Sequence, residues 1–369
     1  MVQNRYYKTF FLHFKKLDWV LIISVVLIVG VGLLSLYSTS LRREDFSNFR
    51  KQIIFSIIGL LLMFGLSFLD WRTLRDNPYF ILLFYLLGLV VLVGLLFFAP
   101  TIRETRGWYK IGPISIDPIE PFKIVLIILL AKYFSMRHVE MYDIRHILIS
   151  GIYVLIPAIL IFLQPDPGSM LMLFFLWGII LSICGIKTKH FLILVLCALL
   201  IFVLGWKYFL REYQRQRVIS FIAPQIEPLG ISWSQIQAKI AIGSGGIFGK
   251  GLGQGSQTQY GFLTETQTDF IFSVIAEEFG FLGVSVLLFL LAVLFWRLMK
   301  IAFTSFTNFP RLFVSSFAFL LMFQGFIHIG MNLGLLPIIG IPLPLVSYGG
   351  SSLISCFLAL GISQSIRAH

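Results

Sequence analysis

Residues 270–298, FIFSVIAEEFGFLGVSVLLFLLAVLFWRL, decide the class of this fold. The run is longer than the roughly 17–25 apolar residues that cross a bilayer core as a helix. Its only charged members are Glu277, Glu278 and Arg297. Similar runs recur at about 19–37, 53–69, 79–99, 118–134, 147–163, 169–186, 190–209, 312–331 and 345–366. The spacing predicts an all-α polytopic membrane protein of about ten transmembrane helices. One large extracytoplasmic loop, about 210–269, lies between helices 7 and 8, and residues 1–369 form a single membrane domain. The run at 118–134 is the least apolar, since it carries Pro121 and Lys123.

Composition agrees. The chain is 58% hydrophobic and 12% charged with a mean hydropathy of +0.90, about half the charge fraction of a soluble domain. The net charge of +12 is spread over both ends of the apolar runs and forms no basic domain. It suits membrane lipid headgroups and topology rather than nucleic acid. An even number of crossings puts both termini on one side, and the basic N-terminus with the short loops holding Arg72, Arg75, Lys132 and Lys300 makes that side cytoplasmic. Most of the acids then fall on the outer face. Cys184, Cys197 and Cys356 lie in apolar runs without CxxC spacing and read as packing residues. The six histidines show no metal-ligand spacing.

The outer insert carries Gly243-Ser-Gly-Gly-Ile-Phe-Gly-Lys-Gly-Leu-Gly-Gln-Gly255. It is neither a phosphate loop, since Gly251 follows Lys250 where Ser or Thr is required, nor a GxGxxG turn. Its glycines suit either a tight external turn or open amides that, with Lys239, Lys250, Arg215 and Arg217, receive a phosphate-bearing headgroup. Asp269 follows, at the mouth of the decisive apolar run. An acid at a membrane edge is commonly functional, yet Asp also caps helices, and Thr268 is an alternative cap; spacing leaves these open. In the second outer loop stand Arg103, Arg106, Trp108 and Lys110, then Asp117-Pro-Ile-Glu-Pro-Phe-Lys123. Glu120 and Lys123 share a helical face, so Lys123 either pairs with Glu120 or neutralises a diphosphate. Gln164-Pro-Asp-Pro-Gly168 reads as a tight hairpin, and Asp18 and Asp70 read as interfacial. Three prolines and a glycine pair break the helix between Pro337 and Ser352, and broken backbone at membrane depth belongs inside protein or along a cavity. Ser347 lacks the GxSxG context of a hydrolase nucleophile.

Taken together, Ala241–Gly255, Thr268-Asp-Phe-Ile-Phe272, Glu277-Glu278, Gln164-Pro-Asp166 and Gly334-Leu-Leu-Pro-Ile-Ile-Gly-Ile-Pro-Leu-Pro-Leu-Val-Ser-Tyr-Gly-Gly-Ser-Ser352 resemble the shape, elongation, division and sporulation family, the RodA/FtsW proteins. Leu17-Asp-Trp19 and Leu36-Tyr-Ser38 look more like the RodA branch. The resemblance implies ten membrane helices and a peptidoglycan glycosyltransferase of the bacterial inner membrane that polymerises lipid II on the outer face during elongation and shape maintenance. The implied partners are a class B penicillin-binding protein and other elongation-machinery proteins. Asp269 matches the family's essential acid and is the expected general base. Lys123, Glu120, Arg106, Trp108, Lys250, Glu265 and Thr268 are the expected substrate-binding residues. No metal ligands are assigned, and the only cofactor considered is a divalent cation, magnesium or manganese, with oxygen ligands. A lipid II flippase and a non-catalytic scaffold are the alternatives. The chain departs from the family at His328 (usually Asn), Gln267 (usually His), Thr264 (usually Pro), Asp117-Pro-Ile-Glu120 (usually Gln-Pro-Ser-Glu) and Gly107-Trp108 (usually Arg-Trp).

Overall fold

The computed structural model describes residues 13–101, 105–112, 114–136, 144–208, 212–223 and 232–369. Arg103, Phe209 and the N-terminal cations Arg5 and Lys8 lie outside them, as do Arg137 and His138. The elements run α1 (Trp19–Arg43), α2 (Ser47–Phe68), α3 (Arg72–Asp76), α4 (Pro78–Phe98), β1 (Tyr109–Ile111), β2 (Ile114–Ile116), α5 (Ile119–Ser135), α6 (Ile144–Leu163), α7 (Pro167–Ile183), α8 (Thr188–Tyr208), α9 (Glu212–Ile222), α10 (Ser232–Ser244), α11 (Ser256–Gln259), α12 (Ile271–Thr304), α13 (Asn308–Leu333) and α14 (Gly350–Ala368). By length and apolarity, α1, α2, α4, α6, α12 and α13 each suffice to cross a membrane, while α7 and the first part of α8 are shorter apolar helices. The protein is therefore a multi-pass, predominantly helical membrane protein, with one small antiparallel hairpin pairing Tyr109 with Ile116.

Local chemistry sets the helix ends. Asp18 caps α1 by accepting from the Leu21 amide at 3.0 Å. Pro78 opens α4 and Pro167 opens α7, where a missing N–H is harmless. Gly334 ends α13 in the left-handed region.

Packing is centred on α13, which contacts α5, α7, α10 and α12. Its inward face buries Phe309, Phe313 and Phe317 together with Gln324, His328 and Asn332. The most extensive helix pair is α2 with α14. They approach so closely that a Cβ on Gly361 would lie 3.0 Å from the Met63 backbone, the small-residue contact that helices use where lipid supplies no hydrophobic drive. Large apolar side chains such as Leu61, Val90 and Phe289 face outward, as the surface of a bilayer protein must.

Three readings gain detail here. The helix over 270–298 is not continuous: Gly280, at φ 65° and ψ −162°, breaks α12 into a short buried segment and a longer helix. The insert at about 210–269 contains α9, α10 and α11. Asp18, at the start of α1, is not left to solvent. It is buried and receives a forked contact from Arg297, with Nε at 3.0 and 2.9 Å from its two oxygens. Carboxylate and guanidinium geometries match in such forks.

Candidate active site

Breaking a helix exposes backbone groups: the segment before the break loses donors for its last carbonyls, and the segment after it loses acceptors for its first amides. The glycine-rich stretch supplies four such partners at Gly280. The Lys250 and Gly251 amides donate to the Glu277 and Glu278 carbonyls, each at 3.0 Å. The Phe281 and Leu282 amides donate to the Gly246 and Ile247 carbonyls at 2.9 and 3.1 Å. The amides of Lys250 and Gly251 are thus committed to the protein, which corrects the open-amide alternative for them. Gly249 has φ 80°, and any Cβ there would lie 2.2 Å from the Glu278 carbonyl oxygen.

The same stretch accounts for Lys250. Its Nζ lies 3.0 Å from Glu277 Oε1 and 2.7 Å from Ser256 Oγ. Glu277 is fully buried and also accepts from the Gln257 and Thr258 amides and from the Ser256 and Thr258 hydroxyls. Lys250, expected at the substrate, also neutralises a buried carboxylate, with its own side chain partly exposed. Glu278 accepts from Ser38 of α1 and from the Gly253 amide, which fastens the loop to the first helix.

Asp269 sits in a tight turn over residues 265–270, ahead of the short segment of α12. Neither Asp269 nor Thr268 caps that helix: its N-cap is Phe270, without a side-chain cap. Glu265 turns the chain at φ 45° and its carbonyl receives the Thr268 and Phe270 amides, both at 3.2 Å. The Thr268 hydroxyl points to Glu265 Oε2 at 3.5 Å. Three successive carbonyls are then gripped from the end of α13 and the C-terminal motif. Gln267 accepts from the Tyr348 amide at 2.8 Å, Thr268 from Ser347 Oγ at 2.8 Å, and Asp269 from Asn332 Nδ2 at 2.9 Å. The Gln267 amide side chain ties the turn to α1 and α2 through Thr39 and Asn48. The half-buried Asp269 carboxylate lies against the proline-rich segment, with Oδ2 3.9 Å from where a Cβ on Gly340 would stand.

The second loop converges on the same motif. Lys123 is buried and pairs with Glu120 at 2.8 Å. The Asp117 amide donates to Ser351 Oγ in the first turn of α14 at 2.9 Å. Burial, and then the like charge of Glu120, pushes the Asp117 carboxyl above the usual range. Asp166 adds to this and Lys123 opposes it. The 164–168 hairpin is as tight as expected: Asp166 caps α7 by accepting from the Ser169 amide and hydroxyl. Gly168 packs on Ile339, one residue from the contact of Asp269. Residues 334–352 therefore touch the Asp269 turn, the Asp117–Lys123 loop and the Asp166 hairpin together.

Two further expected residues lie in the second loop. Arg106 donates to the Leu96 carbonyl and to Thr101, closing the end of α4. Trp108 is half-buried just ahead of the hairpin strands. Two cations of the insert do reach the motif: Arg217 approaches the Ile338 carbonyl at 3.5 Å, and the Lys239 chain lies over Gly334. Sequence reading had noted both without ranking them. Among the described residues no group of three or more His, Cys, Asp and Glu side chains is arranged to hold a metal ion.

The whole architecture can now be compared with known proteins. The profile of the FtsW, RodA and SpoVE proteins, described as a cell cycle protein, matches residues 16–369. The chain belongs to this FtsW/RodA/SpoVE family. Peptidoglycan glycosyltransferase MrdB of Escherichia coli K12 is 32% identical over 96% of this chain and 94% of its own length. Among solved structures, a chain from "Structural coordination of polymerization and crosslinking by a peptidoglycan synthase complex" is 32% identical with a TM-score of 0.80, covering 95% of this chain and 97% of that one. The rod shape determining protein RodA of Thermus thermophilus is 30% identical with a TM-score of 0.70, covering 95% and 96%.

Proposed function

We propose that this chain is a peptidoglycan glycosyltransferase that polymerises lipid II on the outer face of the bacterial inner membrane, in cell-wall elongation, beside a class B penicillin-binding protein. The observation that carries the reading is the Asp269 turn. A half-buried carboxylate is held rigidly at the point where three separate loops meet. The family relationship and the names of the relatives support the reaction class. In this reading the chain crosses the membrane ten times with both termini cytoplasmic.

The chemistry then runs as follows. The sugar hydroxyl of one lipid-linked disaccharide attacks the anomeric carbon of the growing strand, and Asp269 takes the hydroxyl proton. A new C–O bond forms as the bond to the undecaprenyl diphosphate breaks, and the diphosphate leaves with the electron pair. A well-placed base contributes roughly 10²–10⁴ in rate, and fixed cations stabilise the departing charge. Lys123, oriented by Glu120, is one such cation. Arg217 and Lys239, at the motif that Asp269 touches, join Lys250 as further candidates for that role. Glu265 and Thr268 shape the turn, and Arg106 with Trp108 borders the second loop.

Purified protein with its penicillin-binding partner, given lipid II in detergent, tests the proposal. The wild type forms glycan strands with no membrane to flip across, and Asp269→Asn forms none while remaining folded. Strands from the Asn variant would overturn the role of Asp269. A wild-type preparation that is folded, partnered and inert would favour a flippase or a scaffold.

A further inference from the structure

We propose that Ser347 is a positioning residue for the Asp269 base, with Asn332 as its counterpart on α13; the inference rests on the reading of Asp269 as the base. The two side chains grip neighbouring peptides from different elements. Ser347 Oγ donates to the Thr268 carbonyl at 2.8 Å while accepting from the Leu343 amide at 2.9 Å. Asn332 Nδ2 donates to the Asp269 and His328 carbonyls at 2.9 and 2.8 Å, and its Oδ1 accepts from the Ser273 hydroxyl at 2.6 Å. Both side chains are buried, Asn332 completely. Each polar group therefore has fixed partners and a fixed rotamer, and the carbonyls on both sides of the Asp269 amide nitrogen and Cα are anchored.

The carboxylate hangs directly from that anchored backbone. Residues 265–270 belong to no regular helix, so these two donors act beside the Glu265 turn and the Gln267 contacts in fixing the height of Asp269 over Gly340. Ser347 also faces away from any reactive partner: its hydroxyl is spent on the two backbone groups just named. Its contribution is to geometry.

The magnitudes set the design of the test. Losing the Ser347 hydroxyl strands the Thr268 carbonyl and the Leu343 amide, and each stranded buried group shifts the folding equilibrium by roughly 5- to 150-fold. A base displaced by about 1 Å costs on the order of 100-fold in rate. Stability and kcat therefore both fall, and a positioning role is read from a loss of kcat in protein that is still folded.

The experiment measures kcat and KM for lipid II polymerisation, together with thermal unfolding, for Ser347→Ala, Ser347→Cys and Ser347→Thr in the partnered enzyme. The expected order of kcat follows donor strength, Thr above Cys above Ala, with Ala down about 100-fold and KM within about twofold throughout. In an Asp269→Glu background, where the carboxylate already sits elsewhere, Ser347→Ala should cost less than tenfold. Equal kcat across the series overturns the proposal, as does a loss that tracks only the unfolding temperature. If Ser347→Ala does not fold, the Cys and Thr variants carry the comparison. The two readings fail apart: active Asp269→Asn sinks the base, whereas dead Asp269→Asn with fully active Ser347→Ala sinks only the positioning role.

Discussion

Glu277 and Lys250 meet at 3.0 Å where the glycine-rich stretch crosses the break in α12, and the carboxylate is fully enclosed. A buried charge deprived of its partners costs about 3–5 kcal/mol. Glu277→Ala leaves Lys250, two amides and two hydroxyls without their acceptor, so it should lower stability by at least that amount. Thermal unfolding in detergent measures this. Lys250→Met should cost clearly less, because four neutral donors still surround Glu277 and Lys250 is itself partly exposed. Equal losses would show that the ion pair, rather than the nest of neutral donors, holds the loop.

Glu120 and Lys123 separate stability from activity. Either single substitution, Glu120→Gln or Lys123→Met, strands the other charge near the protein interior and should cost about 3–5 kcal/mol. The double variant removes both charges and should regain most of that loss. Polymerisation should remain absent in the double variant, since the cation is gone. A double variant that is both stable and active would remove Lys123 from the mechanism.

Gly280 and Gly30 should respond to alanine with opposite signs. A Cβ on Gly280 would stand 2.3 Å from the Gly249 nitrogen and 2.6 Å from the Ile247 oxygen, at a φ of 65°. Both obstacles are backbone, so Gly280→Ala should sharply reduce the yield of folded protein. Gly30 lies within α1 with open space around its Cβ position, and Gly30→Ala should stabilise by about 0.5–1 kcal/mol through helix propensity. Fluorescence-detected size exclusion after heating compares the two.

Asp117 gives a pH signature. Its folded-state carboxyl titrates above the ordinary carboxylate range, so between the unfolded and folded values the folded protein holds a proton that the unfolded chain has released. Stability therefore falls as pH rises through that window. Asp117→Asn should flatten the decline, with a small difference from wild type near pH 4 and a growing advantage toward pH 8. A parallel pH dependence of unfolding temperature in both proteins would refute the assignment.

Much of the fold was legible because apolarity and length act locally in a bilayer. The runs 79–99 and 147–163 correspond to α4 and to α6 within a few residues, and the Gln164–Gly168 hairpin needed only its own prolines and Asp166. What escaped the sequence depends on distant partners. Nothing near Gly280 announces a break, since its cause is the stretch 246–251. The Asp18–Arg297 pair is not legible locally because its two members stand 279 residues apart. Asp269 was found by resemblance, but the residues holding its turn, Asn332 and Ser347, gave no catalytic signal: each is an ordinary polar side chain whose role is set by a carbonyl on another element.

The order of synthesis adds a consequence of the break in α12. Residues 246–251 precede 277–282 along the chain, so the ribosome delivers the partners before the break that needs them. A glycine interruption entering lipid alone would carry unsatisfied amides and carbonyls, each costing several kcal/mol there. Here the complementary backbone has already been synthesised when the interrupted segment arrives. Moving the glycine-rich stretch to follow α12, by circular permutation, would preserve every contact of the finished protein and reverse that sequence of events during membrane insertion.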